Sequence, residues 1–248
     1  MSINRELSDS TDNLQRALAG QYKFDLKALF SEGQARYKDN LGLMLRATGV
    51  LMAIGIGVTF LLFNLLELDV TSVESMQSSR AGMLDIIMLV LMSPLLVGFR
   101  MIGVKIAAGQ RAQLRELGQY FSFILVLVAA NLLISLLVQV GLNLLILPGI
   151  YVYMVTQFSV VLLANRRAGL LQSIVLSTRV VNRYLLPFTL ILLVFLLMFI
   201  LVFVTMGLAI LWVGPMYSLI MGRLYVDLFG YGEPTNTHTK ARDSILDA

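Results

Sequence analysis

The chain has 248 residues, of which 58% are apolar and 14% are charged, and its net charge is +4. A soluble domain carries about 25% charged residues and could not hide this much apolar surface from water, so the composition excludes a soluble globular protein. The absence of Cys excludes disulfides and thiolate chemistry, and the single His, His238, excludes a histidine-rich metal centre, so we expect no cofactor and no metal.

The two ends of the chain differ in composition from the middle. Residues 1–22 and 231–248 are polar, contain few aromatic residues and show no periodicity, which predicts a disordered tail at each end. No secretory signal peptide is expected before the first apolar run. The membrane domain is therefore predicted over residues 23–230.

Long apolar blocks dominate that domain. Residues 119–165 and 184–222 contain no charge over 47 and 39 positions. A single helix of 47 residues would be about 70 Å long, more than twice the ~30 Å hydrocarbon core, so each block must turn back once. We expect the breaks at Gly141–Gly149 and near Thr205–Gly207. The prediction is an all-α integral membrane protein whose six transmembrane helices form three hairpins, at about 47–66, 83–104, 120–142, 147–165, 186–206 and 208–228.

The basic residues give the orientation of these spans. With six spans, eighteen of the nineteen Lys and Arg residues fall on one side, and Arg80 in the loop 67–80 is the exception. Basic residues mark the cytoplasmic side, so both termini are predicted to be cytoplasmic in a bacterial inner membrane. The basic segments lack the interleaved aromatic residues that stack on bases, so nucleic acid is not an expected partner.

A cytoplasmic amphipathic helix is predicted before each hairpin. Apolar residues recur every three or four positions from Leu26, from Leu114 and from Leu170. Such helices lie in the membrane interface with basic residues toward anionic headgroups. In the third helix the predicted apolar face is Leu170, Ile174, Thr178, Val181 and Leu185. The candidate contacts to anionic lipid there are Arg166, Arg167, Arg179 and Arg183. The alternative is that these arginines only fix the topology.

Polar residues recur every four positions along the third span. They are Asn131, Ser135, Gln139 and Asn143, and Gln157 on the fourth span could face them. One interpretation is hydrogen bonding between helices, each bond contributing ~0.6–2 kcal/mol. The other is one wall of a polar path or ligand cavity along the third and fourth spans.

Four charged residues are candidates for membrane depth: Asp85, Arg100, Arg223 and Asp227. A charge at the bilayer centre costs at least ~2.5–3.5 kcal/mol. All four fall near span ends, so snorkelling to the interface is the favoured interpretation. Arg223 and Asp227 are also spaced to pair on a helix.

The sequence offers no set of residues for catalysis. Ser173 and Ser177 have no nearby base, and Asp85 and Asp227 fall at opposite faces of the bilayer. We therefore assign no catalytic residue and expect a protein that is not an enzyme.

Several short motifs resemble a known family. They are Ala107-Ala108-Gly109-Gln110-Arg111, Val138-Gln139-Val140-Gly141, Leu147-Pro148-Gly149-Ile150 and Leu171-Gln172-Ser173. They resemble an uncharacterised family of six-span proteobacterial inner-membrane proteins. More loosely, they are similar to the membrane domain attached to some glycerophosphoryl diester phosphodiesterases, whose His and Glu metal-binding pattern is absent here. The resemblance implies a small helical inner-membrane module.

Two functions fit these features. The first is a non-enzymatic inner-membrane protein that organises lipid, anionic lipid included, or a membrane protein partner. The alternative is a small-solute transporter or channel that uses the polar path. No carboxylate at the membrane midplane offers proton or sodium coupling to such a transporter.

Overall fold

The computed structural model describes residues 12–65, 79–165 and 168–231, and every regular element in these ranges is helical. The elements in chain order are α1 (12–18), α2 (Leu26–Asp39), α3 (Leu41–Leu65), α4 (Ser79–Ala107), a 3₁₀ segment (Leu114–Phe123), α5 (Ile124–Leu144), α6 (Ile146–Thr156), α7 (Ser159–Ala164), α8 (Leu170–Arg183), α9 (Leu185–Val204) and α10 (Ile210–Phe229). The predicted all-α class is confirmed.

The part of the chain that the structure describes contains five helical segments long and apolar enough to cross a membrane. They are Leu41–Leu65, Met83–Ala107, Leu114–Leu144, Ile146–Ala164 and Leu185–Val204. The chain turns between Leu144 and Ile146 and again between Val204 and Ile210, where breaks were expected. This is the architecture of a multi-pass membrane protein.

The predicted sixth span coincides with α10, which is not one of those five segments. Its hydropathy is lowered by Pro215, Arg223 and Asp227, yet eleven of its 20 residues are buried. Helices α2, α3, α4 and α9 pack around it. By contrast α9 buries only Phe188, Ile191 and Phe195 and exposes leucines and phenylalanines on its outer side. α10 is thus the central helix, and α9 forms part of the apolar exterior.

Two glycines bring α4 and α10 into close contact. A Cβ atom on Gly222 would lie 2.5 Å from the carbonyl carbon of Gly103, so neither position has room for a side chain. One turn away, the Ser218 hydroxyl donates to the Phe99 carbonyl at 2.9 Å. Small residues of this kind allow helix backbones to approach closely.

The start of the described chain corrects the expectation of a disordered tail over 1–22. Residues 12–18 form α1, and Ala17 is only 1% exposed. The Tyr184 hydroxyl donates to the Ala17 carbonyl and accepts from the Tyr22 amide, each at 3.0 Å. The reason is that apolar side chains at Leu14, Ala17 and Leu18 meet the core although their sequence neighbours are polar. Residues 1–11 and 232–248 lie outside the described residues, as do residues 67–78 of the predicted outer loop 67–80. Ser79 and Arg80, the last two residues of that loop, already belong to α4.

The Tyr22 hydroxyl fixes this N-terminal segment to α10. It donates to the Asp227 carboxylate at 2.9 Å. Burial, together with the adjacent Asp227 carboxylate, raises the pKa of the Tyr22 phenol above its ordinary range. The phenol therefore remains a protonated donor at physiological pH.

The three predicted amphipathic segments are helical, but they differ from the prediction in detail. The second is a 3₁₀ segment, Leu114–Phe123. The first, α2, runs antiparallel along α10: Gly33 contacts Ile220, and further on the Tyr37 hydroxyl donates to the Leu211 carbonyl at 3.4 Å. α2 is therefore packed against the central helix along its length.

The third amphipathic helix, α8, buries a face that is rotated from the predicted one and shares only Val181 with it. Its buried residues are Ser173, Ser177, Val180 and Val181, whereas Leu170, Ile174 and Thr178 are half-buried and Leu185 is exposed. The Ser177 hydroxyl donates to the Val155 carbonyl at 2.6 Å. Serine allows α8 to approach α6 closely while its hydroxyl keeps a partner, and for that reason apolar periodicity alone misplaced the face.

Candidate functional site: a polar cavity at Arg100

Arg100 lies on α4, one turn before the close contact of Gly103 with α10. Its Nη1 atom donates to the Gln157 carbonyl at 3.3 Å. The guanidinium carbon lies 5.9 Å from the centre of the Tyr217 ring, a cation–π distance. The side chain thus turns toward the Gln157 carbonyl, just after α6, and toward Tyr217 on α10. The expectation that Arg100 snorkels to the interface stays a prediction.

Two adjoining cavities meet at this side chain. The first, about 370 Å³, lies between α4 and α5 and is lined by Met88, Met92, Ser93, Leu96, Asn131 and others. The second, about 290 Å³, lies between α5 and α6 and is lined by Gln139, Tyr153, Thr156 and Gln157 among others. Four residues line both: Arg100, Asn131, Ser135 and Val160. Among the described residues, Arg100 is the single charged side chain in either lining.

The predicted polar stripe divides at this site. Asn131 Nδ2 donates to the Ser93 hydroxyl and to the Leu127 carbonyl, the latter at 3.0 Å. Ser135 and Gln139 also line the cavities. Asn143 lies elsewhere, because it is exposed and donates to the Gln139 carbonyl of its own helix at 2.9 Å. The structure therefore joins Asn131, Ser135, Gln139 and Gln157 in one site and leaves Asn143 out.

The site contains hydrogen-bond donors that have no partner in the described structure. The Gln157 Nε2 atom is buried and has no hydrogen-bond partner within the described ranges. A guanidinium has five N–H donors, and one of them is engaged by the Gln157 carbonyl. Among the described residues Arg100 forms no ion pair, and no carboxylate lines either cavity. A cation with free donors and no counter-charge favours an anionic ligand.

The other candidate charges are placed differently. Arg223 pairs with Asp227 at 3.1 Å, as their spacing indicated, and lies 3.6 Å from Glu32. Asp85 is exposed near the start of α4. Lys105, also on α4, pairs with the buried Glu116 at 2.9 Å. Of the basic residues on α4 after Asp85, Arg100 is thus the one without a carboxylate partner in the described structure.

The candidate lipid-contacting arginines are only partly within the described residues. Arg179 and Arg183 are exposed on α8. The same helix exposes the large apolar side chains of Leu171 and Val175. Arg166 and Arg167 lie outside the described residues.

No group of three or more His, Asp or Glu residues that could hold a metal ion occurs in residues 12–65, 79–165 or 168–231. Ser173 is bonded to the Ala168 carbonyl and Ser177 to the Val155 carbonyl. His238 lies outside the described residues. The polar cavity is therefore the site that the geometry offers for a ligand.

Comparison with protein-family models, with curated proteins and with solved structures finds no match for this chain. The resemblance to six-span inner-membrane proteins stays a prediction.

Sequence reasoning missed the centre of this site. It named Arg100 only as a charge near a span end, and it did not connect Arg100 with Tyr153, which lines the same cavity, or with the Tyr217 ring. One signal was present: after Asp85, the fourth helix contains Arg100 and Lys105 and no further acidic residue. The contact of Arg100 with Gln157, in the turn after α6, is a tertiary feature that no sequence pattern signals.

Proposed function

We propose that this protein is a non-enzymatic, multi-pass protein of the bacterial inner membrane that organises anionic lipid by binding a headgroup phosphate at Arg100. One observation carries the proposal: Arg100 lies where two cavities with polar groups in their walls meet, and no carboxylate among the described residues lines either one. The Gln157 Nε2 atom, buried and without a partner among the described residues, belongs to a residue that lines the second cavity.

Electrostatics favours an anionic occupant. An arginine inside a bilayer costs at least ~2.5–3.5 kcal/mol. The Tyr217 ring offsets about 0.5–2 kcal/mol of this by a cation–π contact. A phosphate oxygen pair would engage the remaining N–H groups as charge-assisted bonds and neutralise the charge. The ligand thereby supplies the counter-ion that the cavity lining lacks.

The proposed topology has six spans in three hairpins with both termini cytoplasmic, and α10 is the sixth span. With 20 residues, α10 is about 30 Å long, which matches the hydrocarbon core. Its modest hydropathy is acceptable because neighbouring helices cover it. Arg100 lies seven residues before the end of α4 at Ala107, about 10 Å along the axis. That depth suits a lipid of the cytoplasmic leaflet.

The exposed arginines of α8 support the same function. Arg179 and Arg183 lie on the same helix as exposed Leu171 and Val175. This surface is suited to the membrane–water interface, where apolar side chains enter the lipid and basic side chains contact the headgroups. Each basic residue near an anionic leaflet contributes about 1 kcal/mol. These arginines would concentrate anionic lipid near the cavity.

The test is lipid retention. Wild type, Arg100→Gln and the matched surface control Arg16→Gln, at an exposed arginine of α1, are purified in mild detergent and analysed by native mass spectrometry. We expect phosphatidylglycerol or cardiolipin to remain bound to wild type and to Arg16→Gln and to be lost from Arg100→Gln. Arg100→Lys, which keeps the charge, should retain part of it. Equal retention in wild type and in an Arg100→Gln variant of native-like thermal stability would contradict the proposal.

A second candidate function, a path for small polar solutes, is favoured by the alignment of Asn131, Ser135 and Gln139 along both cavities. The chain contains no Cys, so single cysteines at these positions can be labelled without background. A path predicts reaction of all three with a small water-soluble thiol reagent. Protection of all three in membranes would exclude it.

A further inference from the structure

A third, larger space adjoins the Arg100 site. It is a groove of about 720 Å³ between α3 and α4, lined by Met52, Gly55, Ile56, Thr59, Phe60, Phe63, Asn64 and Met88. Met88 also lines the cavity of about 370 Å³ that reaches Arg100. The groove and the polar cavity therefore adjoin at Met88, and together we call them the elongated space along α4.

The groove is apolar in effect, although two of its lining residues are polar. The Thr59 hydroxyl contacts the Met88 sulfur at 3.8 Å, and Asn64 Nδ2 donates to the Phe60 carbonyl at 2.8 Å. Both polar groups are thus engaged within the protein. Methionines at positions 52 and 88 give the walls adaptable, polarizable surfaces. Gly55 has nothing within 4 Å of where a Cβ atom would be, which leaves the groove open at its centre.

We propose that this groove holds an acyl chain of the lipid whose headgroup Arg100 binds, so that the ligand is an intact anionic phospholipid. The inference rests on the proposed function. An anionic phospholipid joins a phosphate to long apolar chains, so one ligand can bind Arg100 at one end of the elongated space and fill the apolar groove at the other end. A free anion would fill only the Arg100 end.

The length of the space supports this assignment. Arg100 and Met88 are twelve residues apart on α4, which is about 18 Å along the helix axis. The hydrocarbon thickness of one leaflet is about 15 Å. A chain that starts near Arg100 can therefore reach the groove at Met88.

Fluorescence quenching by brominated acyl chains tests the inference. Trp212 is the single tryptophan, so Trp212→Phe provides a dark background. Thr59→Trp places a probe in the groove, and Ile56→Trp places a second probe on its wall. Phe203→Trp on α9, at a side chain 73% exposed, is the matched control for lipid contact outside the groove. Each variant is reconstituted in phosphatidylcholine nanodiscs with a small fraction of phosphatidylglycerol brominated in its chains.

We expect severalfold stronger quenching of the groove probes than of the Phe203→Trp control, and loss of this excess when Arg100→Gln is added. Brominated phosphatidylcholine at the same fraction should quench all three probes alike. Equal quenching in the groove and at the control would overturn the inference. So would thermal stabilisation of delipidated protein by inorganic phosphate as large as that by phosphatidylglycerol, since the chain would then contribute nothing.

The outcomes also separate this inference from the proposed function. Native mass spectrometry that shows Arg100-dependent retention, combined with no excess quenching in the groove, overturns the acyl-chain assignment and leaves headgroup binding intact. Absence of both effects overturns both. Excess quenching that persists in Arg100→Gln overturns the link between groove and headgroup.

Discussion

Replacing Gly222 with alanine should weaken the contact between α4 and α10 on which the Arg100 site is built. The new Cβ atom would lie 2.5 Å from the Gly103 carbonyl carbon and 2.6 Å from its oxygen. Carbon atoms in favourable contact are about 3.5–4.0 Å apart, so the helices must separate by roughly 1 Å. The obstructing atoms are backbone, which cannot rotate away.

The size of the effect follows from overpacking of a close contact. Forcing one methyl group into a packed interface costs about 1–3 kcal/mol. For a chain of this length 1 kcal/mol corresponds to roughly 2–4 °C, so Gly222→Ala should lower the unfolding temperature by about 2–12 °C. Lipid retention at Arg100 should fall as well, because Ser218, one turn from Gly222, is bonded to Phe99 next to Arg100.

The assay is thermal unfolding in detergent, with Gly49→Ala on α3 as the matched control. A Cβ atom at Gly49 would have nothing within 4 Å. Alanine in an open helical position stabilises by about 0.5–1 kcal/mol relative to glycine, so the control should unfold at the same or a higher temperature. An unchanged or raised unfolding temperature for Gly222→Ala would refute the close contact.

Three further predictions concern other parts of the molecule. Tyr22→Phe removes the bond to Asp227 and should cost about 1–2 kcal/mol in thermal unfolding, with Tyr151→Phe at an exposed hydroxyl as control. The pKa of Tyr22 is raised in the folded protein, so this stabilisation is complete below the ordinary pKa of 10.0 and is lost as pH rises through the pKa of the folded state. Wild type should therefore lose stability above pH 10, and the variant should lose less. Parallel curves of stability against pH would contradict the contact. Lys105→Met leaves the buried Glu116 carboxylate unpaired and should lower the free energy of unfolding, measured by chemical unfolding, by about 3–5 kcal/mol. The double variant Lys105→Met with Glu116→Gln should recover most of this loss. No recovery would show that the ion pair does not account for the loss. Single cysteines at Ala112 and Val175 should be protected from an impermeant thiol reagent added outside cells while one at Ser75 is labelled, and external labelling at Val175 would reverse the predicted topology.

The turns between spans could be predicted because they follow from chain length and bilayer thickness. An uncharged block of 47 residues cannot cross once, and the glycines and proline near Gly141–Gly149 leave little choice of break. In the structure Gly141 and Gly149 are in direct contact at that turn, since a Cβ atom on Gly141 would lie 2.8 Å from the Gly149 Cα atom. Local composition determines such features.

Features set by tertiary packing could not be predicted in the same way. The buried face of α8 is chosen by the fit of Ser173 and Ser177 against neighbouring backbone, which a hydrophobicity pattern treats as polar surface. Similarly, Arg100 turns inward because the Gln157 carbonyl and the Tyr217 ring are within reach. Gln157 lies in the turn between α6 and α7 and Tyr217 lies on α10, and both are more than fifty residues away in the sequence.

The most direct test of lipid binding at Arg100 is a solid-state NMR distance between phosphorus and guanidinium nitrogen. Arginine-labelled wild type and Arg100→Gln are reconstituted in nanodiscs that contain phosphatidylglycerol, and the phosphorus–nitrogen coupling is compared. Because a charge-assisted bond places N and O about 2.7–2.9 Å apart, the account predicts a component with a phosphorus–nitrogen distance of about 4 Å that is present in wild type and missing in Arg100→Gln. The same short-distance component in both proteins would contradict the assignment of the phosphate to Arg100.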